Sequence, residues 1–317
     1  MKEQIVNPED PEYQRHLAGE VAHYSEIFLA ETERARQSQK TLTQSVPASW
    51  SEVELRARQL VIDRTGYDAL EHVMLRLKES TGARMLSLGS GPGGTEIDLA
   101  ARLPDARIDC LDCNAALLNL GKARAGEAGL KVTFEQADLN TVDLPSAEYD
   151  IVFCHAALHH VIELDRLAGQ IRRTVRPGGH LITVDIISRN GYLMWPETST
   201  VVRNIWRTLP EKFRVNHTAY SEPKVDDEIW EADTSISSME CIRSQEILPI
   251  LSREFKTIHL VPYFSICRRL LDTMYGPNYD LTCSLDMAIL DWIWHLDKHH
   301  LSTGHLKPET FFGIFAV

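Results

Sequence analysis

The feature that most constrains this chain is a glycine-rich loop, Gly89-Ser90-Gly91-Pro92-Gly93-Gly94. It follows a short apolar run, Met85-Leu86-Ser87-Leu88, and precedes a helical stretch, Thr95 to Leu103. Gly89, Gly91 and Gly94 satisfy G-x-G-x-x-G, the pattern of a strand that turns tightly into a helix. Glycine permits the turn and lets a ligand approach bare backbone. The loop therefore predicts an open α/β sheet with a nucleotide-type cofactor at its edge.

The chain on either side fits such a sheet. Ile108 to Leu111, Val132 to Gln136, Tyr149 to Phe153 and Leu181 to Ile187 read as strands, with helices at Ala115 to Ala128 and 161–175 between them. Strands alternating with helices imply a mainly parallel, doubly wound sheet. Before it, residues 1–82 read as helical. Asp10-Pro11 opens one helix, with Leu17, Val21, Tyr24 and Phe28 on one face; 38–48 is a Ser/Thr/Gln-rich loop. Ser49-Trp50-Ser51-Glu52 offers a capping box for a second helix, and Asp68 opens a third. After the sheet, residues 188–253 break the rhythm. They hold Trp195, Trp206 and Trp230 with several arginines, and read as a helical insertion. Phe255 to Tyr263 returns as a strand, 265–300 as helix, and Thr310 to Val317 as an apolar last strand.

Composition narrows the partners. The 317 residues carry a net charge of −12, which argues against nucleic acid and against an acidic membrane surface. There is no apolar run of about 18 residues, and Met1-Lys2-Glu3-Gln4 does not open a signal peptide. The expectation is a cytoplasmic protein with six reduced thiols, since only Cys110 and Cys113 form a C-x-x-C and no second pair completes a zinc site. No oligomeric state follows; a homodimer is left open.

Asp112 ends the second strand, where an ionised carboxylate can accept from both hydroxyls of a ribose. That position suits a dinucleotide and S-adenosylmethionine equally. Asp138, after the third strand, can accept from an adenine amino group. Arg176-Pro177-Gly178-Gly179 turns into the fifth strand. Taken in order, Leu86 to Gly93, Asp112, Ala137-Asp138-Leu139, Asp150-Ile151-Val152-Phe153 and Val175 to Gly179 resemble the class I S-adenosylmethionine-dependent methyltransferases over residues 83–187. The resemblance implies a Rossmann-like, doubly wound seven-stranded sheet with an antiparallel last strand. It implies S-adenosylmethionine on Gly89, Ser90, Gly91, Gly93, Asp112, Cys113, Asp138, Leu139 and His155, and S-adenosylhomocysteine as product. Four segments are expected: an N-terminal helical lid (1–82), the cofactor core (83–187), a helical substrate cap (188–253) and the C-terminal part of the sheet with inserted helices (254–317).

A looser resemblance, through Leu158-His159-His160, Asn190 to Trp195, Leu209 to Arg214 and Arg243 to Pro249, is to a branch of bacterial small-molecule methyltransferases. This chain departs from it at Ser90, where cysteine is frequent, and at Ser188-Arg189-Asn190, in place of a Gly-Pro-type turn.

Chemistry is expected at His155, His159 and His160, at the carboxyl edge of the sheet, where ligands of such sheets bind. A neutral imidazole can take a proton from an acceptor hydroxyl or amine, or orient it. Alternatively His155 lines the cofactor pocket, and one of the His159/His160 pair faces the core or caps a helix. In the insertion, Tyr192, Trp195, Arg203, Trp206, Arg214, Tyr220 and Arg243 suit an apolar substrate pocket with a few polar anchors. Trp206, with Val202, Ile205 and Leu209, also reads as an ordinary buried helix face. His295, His299, His300 and His305 lack a metalloprotease spacing. His155 stands where divalent-metal methyltransferases place an acid, so no metal is expected.

The leading expectation is methyl transfer to O, N or C of a small metabolite, a natural product or sugar derivative. The alternatives are a cyclase or regulator that binds the same cofactor without methylating, and a nicotinamide-dependent oxidoreductase. The Arg-Pro-Gly-Gly turn and the last strand argue against the latter.

Overall fold

The computed structural model describes residues 6–38, 46–79 and 81–317, with the side chains of 29–38 outside the description. Met1 to Gln4, and 39–45 of the expected 38–48 loop, lie outside the described residues.

The apolar runs pair as the alternation requires. β1 (Arg84–Leu88), β2 (Arg107–Asp112), β3 (Val132–Gln136), β4 (Tyr149–His155) and β5 (Val175–Ile186) form a parallel set. β8 (Lys256–Tyr263) and β9 (Thr310–Ala316) complete it in the order β3-β2-β1-β4-β5-β9-β8. β9 runs antiparallel to both neighbours. Two residue pairs, β6 (Val215–Asn216) and β7 (Lys224–Val225), make a separate hairpin.

Helices cover both faces. Side chains alternate across a strand, so Met85, Ile151 and Phe153 face one apolar layer and Leu86, Val152 and Cys154 the other. The first layer takes in α2 (Ala48–Thr65), α3 (Ala69–Lys78), α4 (Gly94–Arg102), α5 (Ala115–Glu127), α7 (Pro196–Trp206), α9 (Ile266–Leu270) and α10 (Ser284–Ser302). The second is roofed by α6 (Leu164–Thr174) and α8 (Ile247–Glu254). Full burial of a side chain such as Phe153 stabilises by roughly 1.5–3 kcal/mol. α1 (Pro11–Ser38) lies apart from both layers and reaches the sheet edge through polar contacts.

Several expectations change in detail. Asp68 does close a capping box with Glu71, but Ser49 does not cap α2. That helix starts two residues earlier, behind Pro47, and the buried Ser49 hydroxyl donates to the Gly276 carbonyl at 2.9 Å. Arg176 to Gly179 is an outward loop within β5: Val175 pairs with Tyr149 and His180 with Ile151. A Cβ on Gly179 would stand 2.6 Å from the Asp150 carbonyl, so the return needs glycine. The 188–253 stretch holds α7, short 3-10 turns, the hairpin and the start of α8, less helix than its periodicity implies. The 265–300 stretch splits into α9 and α10 around an irregular segment. All six cysteines are free. Among the described residues no helix is long and apolar enough to cross a membrane.

Candidate active site

The glycine loop leaves β1 at the carboxyl edge. Gly89 N–H donates to the Leu111 carbonyl at 2.8 Å, which ties the loop to β2. Gly91 and Gly93 hold φ of +54° and +65°, and a Cβ on Gly93 would stand 2.4 Å from the Phe134 ring. At Gly91 a Cβ would meet only Leu117, at 3.9 Å, so the backbone there faces open space that a ligand can fill.

Asp112 closes the loop from the other side. One carboxylate oxygen accepts from Gly91 N–H and the other from Asn114 N–H, both at 2.8 Å. Burial pushes its pKa up, against those two bonds. A carboxylate has about four acceptor positions, which leaves room for two ribose hydroxyls. Cys113, half-buried beside it, has its thiol pushed up to about 12 by burial. Asp138 is more fully engaged. It accepts from the Tyr13 hydroxyl at 2.5 Å and from the Asn140 backbone and side chain. Leu139 is half-buried next to it. An adenine amino group would join or displace Tyr13.

Tyr13 belongs to α1, which lies across this edge. Asn114 donates its side-chain amide to the Val21 carbonyl and to Ser25 while its oxygen caps α5. Glu20 reaches His160, at 2.7 Å from Nδ1, and the Tyr24 hydroxyl lies 3.4 Å from the Nε2 of the same ring.

The three expected histidines have three different environments. His155 and Ala156 beside it, at the end of β4, keep solvent-exposed surface. Desolvation lowers the His155 pKa, against Asp185. His159 is buried; its Nδ1 lies 2.6 Å from Asp185 and its Nε2 3.7 Å from Glu240. Burial alone would lower its pKa, but the two carboxylates win and push it up to about 10. It is an imidazolium at neutral pH. Glu240, which burial alone would raise, is held well below the carboxylate range by His159 and His160. His160 is half-buried, with its ring centre 3.9 Å from that of His159 and its Nε2 3.7 Å from Glu240. Together His159, His160 and Glu240 hold three ligand-type atoms within 4.8 Å, close enough for one cation.

Sequence reasoning missed Asp185, Glu240, Glu20 and Tyr24. Nothing in local spacing links Glu20 to His160 or Glu240 to His159; only folding brings them together. Strain gathers here as well. Ala156, Tyr192, Cys241 and Phe264 follow or face the strand ends with φ between +52° and +59°, each costing roughly 1–2 kcal/mol. Such strain concentrates at functional sites.

The insertion residues divide. Tyr192 enters the edge, its hydroxyl 3.4 Å from Asp272 and its face under the Arg269 guanidinium at 4.2 Å. Trp195 stacks under Lys307 at 4.1 Å. Trp206 is fully buried, bonded to the Asp227 carbonyl and packed on Tyr275, as an ordinary helix face would be. Arg203 pairs with Glu228 and Glu231, and Arg243 with Asp165 and Glu246. Arg214 donates to the Asp226 and Asp227 carbonyls. Tyr220, exposed, donates to Asp226. Arg203 and Arg243 are thus ion-paired, whereas Arg214 reaches only those two carbonyls, at 3.4 and 3.5 Å. His295 and His299 are exposed on α10, with His300 and His305 grouped near its end.

Residues 85–179 match the family described as methyltransferase domain. An uncharacterised methyltransferase of Mycobacterium tuberculosis (strain ATCC 25618 / H37Rv) is 33% identical over 138 residues, 43% of this chain and 66% of that protein. The trans-aconitate 2-methyltransferase of Methylobacterium nodulans is 37% identical over 113 residues, 34% of this chain and 40% of that protein. The chain thus spans 66% or less of the length of these relatives. The solved structure of an S-adenosylmethionine-dependent methyltransferase from Mesorhizobium loti shares 16% identity, with a TM-score of 0.45 over 78% of this chain and 98% of that one. Sheet order and glycine loop define a Rossmann-like nucleotide-cofactor protein. Over residues 85–179 the chain is similar to the methyltransferase-domain family, and its relatives support a class I S-adenosylmethionine-dependent methyltransferase. S-adenosylmethionine is the cofactor of that class.

Proposed function

We propose that this protein transfers a methyl group from S-adenosylmethionine to an oxygen, nitrogen or carbon of a small metabolite, leaving S-adenosylhomocysteine. One observation carries the reading. The glycine loop with Asp112 and the histidine–carboxylate cluster open on the same sheet edge, under α1. When bound, the cofactor supplies an electrophilic methyl on a positive sulfur. What the chain adds is alignment and enclosure, which supply much of the catalysis of such a displacement.

In this reading Gly89, Ser90, Gly91 and Gly93 cradle the cofactor, Asp112 accepts from the ribose, and Asp138, Leu139 and Cys113 border the adenine. His155 lines the edge. His159, already charged and held by Asp185, is a positioning residue for Glu240. His160 takes the acceptor's proton on Nε2 as the new bond forms, with Glu20 2.7 Å from its Nδ1 on the other side of the ring. Tyr192 and Trp195 belong to the acceptor side, while Arg203, Arg214 and Arg243 brace the insertion. No step in this reading rests on a cation.

The test is calorimetry with S-adenosylmethionine, followed by incubation with pooled metabolites and mass detection of a methyl shift and of S-adenosylhomocysteine. Cofactor binding with both products is expected, with turnover kept within about twofold after dialysis against EDTA, since no step rests on a Lewis acid. Binding without either product would favour the non-methylating alternative. NADH binding in place of S-adenosylmethionine would overturn the reading.

A further inference from the structure

Arg268, unlike Arg203 and Arg243, makes no ion pair among the described residues, and unlike Arg214 it stands between two aromatic rings. Its neighbour Arg269 pairs with Glu309 at 2.7 Å and donates to the carbonyls of Tyr192 and Leu193. The one hydrogen bond of Arg268, to the Thr310 hydroxyl, is long at 3.4 Å, and its Nε has no partner. Arg268 is half-buried, and its Nε is shielded from solvent.

Two aromatic rings wall it. The guanidinium carbon lies 5.6 Å from the ring centre of Trp50, on α2, and 5.6 Å from that of Tyr192, on the segment after β5. The carboxylates within electrostatic reach are engaged or apart. Glu309 is taken by Arg269, Asp272 accepts from Met274 N–H and Tyr192, and Glu54 feels the guanidinium without contacting it.

Its place in the fold is the acceptor side of the edge. Thr310, its hydrogen-bond partner, pairs with Ile186 in β5 and Tyr263 in β8. Ile186 follows Asp185, which holds His159. Lid, core, insertion and C-terminal segment therefore meet around one unpaired cation.

A half-buried charge without a counter-ion is costly, and aromatic faces offset only part of that cost. A guanidinium is a planar fork of donors that matches a carboxylate or phosphate. We infer that Arg268, between Trp50 and Tyr192, binds an anionic group of the methyl acceptor, so that this net-negative protein methylates a small carboxylate or phosphate. The inference rests on the methyltransferase reading for the word acceptor, but the anion site stands on geometry alone.

Calorimetry on the full chain tests it, with and without S-adenosylhomocysteine, using benzoate, its neutral isostere benzamide, and phenyl phosphate. At least one anion is expected to bind about tenfold or more tighter than benzamide, a difference of one decade in Kd. The tighter anion identifies the group. R268Q is expected to erase the preference, and R268K, which keeps charge without the fork, to retain part of it. Near-ultraviolet circular dichroism shows whether each variant is folded. Equal binding of benzamide and the anions, no binding of any probe to the wild type, or an anion preference that survives R268Q in folded protein would overturn the inference and leave Arg268 as packing between rings. Anion preference in a wild type that binds no S-adenosylhomocysteine would instead overturn the cofactor reading and keep the anion site.

Discussion

Three histidines within six positions of one another serve differently because their surroundings differ. His159 sits between Asp185 and Glu240 and is charged; His160 has Glu20 behind Nδ1 and its Nε2 toward the Tyr24 hydroxyl and Glu240. H160Q is therefore expected to lower kcat by about 10²–10⁴, the usual contribution of a positioned base, with the Kd for S-adenosylmethionine little changed. Unaltered turnover would remove His160 from the chemistry. His159 also sets a pH dependence. Its folded pKa of about 10 lies above the unfolded value of 6.5, so its stabilisation is complete below about 6.5 and is lost as pH rises through about 10. The wild-type Tm should fall from about pH 7 to pH 10, and that of H159Q, lower throughout, should fall less steeply. D185N at neutral pH should cost about 3–5 kcal/mol, the penalty for leaving half of a buried pair, read by urea denaturation. The histidines themselves were legible from Leu158-His159-His160; their protonation was not, because Asp185 and Glu240 come from distant segments.

At the scale of elements, α1 is the part whose role was least visible beforehand. Its apolar spacing was legible, but its contacts with the edge are polar: Tyr13 to Asp138, Val21 and Ser25 to Asn114, Glu20 and Tyr24 to His160. A helix held by such bonds and outside the apolar layers opens at low free energy. Amide exchange over 13–25 is expected to be fast in the free protein and to slow on adding S-adenosylhomocysteine, with α3 unchanged. Equal protection in both states would show that α1 does not cover the cofactor. The capping box expected at Ser49 failed for a related reason: the hydroxyl found tertiary carbonyls, at Leu271 and Gly276, in place of its own helix.

For the whole molecule, one apolar layer joins all four expected segments. It runs from Trp50 and Val53 of α2 through Met85 and Phe153 to Trp206 and Trp294. Segments that share a core unfold together. Calorimetry on the full chain should give a single transition in which the calorimetric and van't Hoff enthalpies agree. A separate early transition for the lid or the insertion would show them to be independent units.

The core of residues 83–187 could be read from the sequence because its signals are local. Glycine φ angles, a strand-end aspartate and alternating apolar runs each follow from a few neighbouring residues, and their order implies the sheet. The number of strands and the antiparallel β9 came through resemblance to a family. What only tertiary structure decided is which charged groups meet. Arg203 and Arg243, which looked like anchors, found carboxylates, whereas Arg268, one of two adjacent arginines with identical local signals, did not. Whether a charge is satisfied depends on what lies within a few ångströms of it, and here those atoms come from residues up to more than 200 positions away.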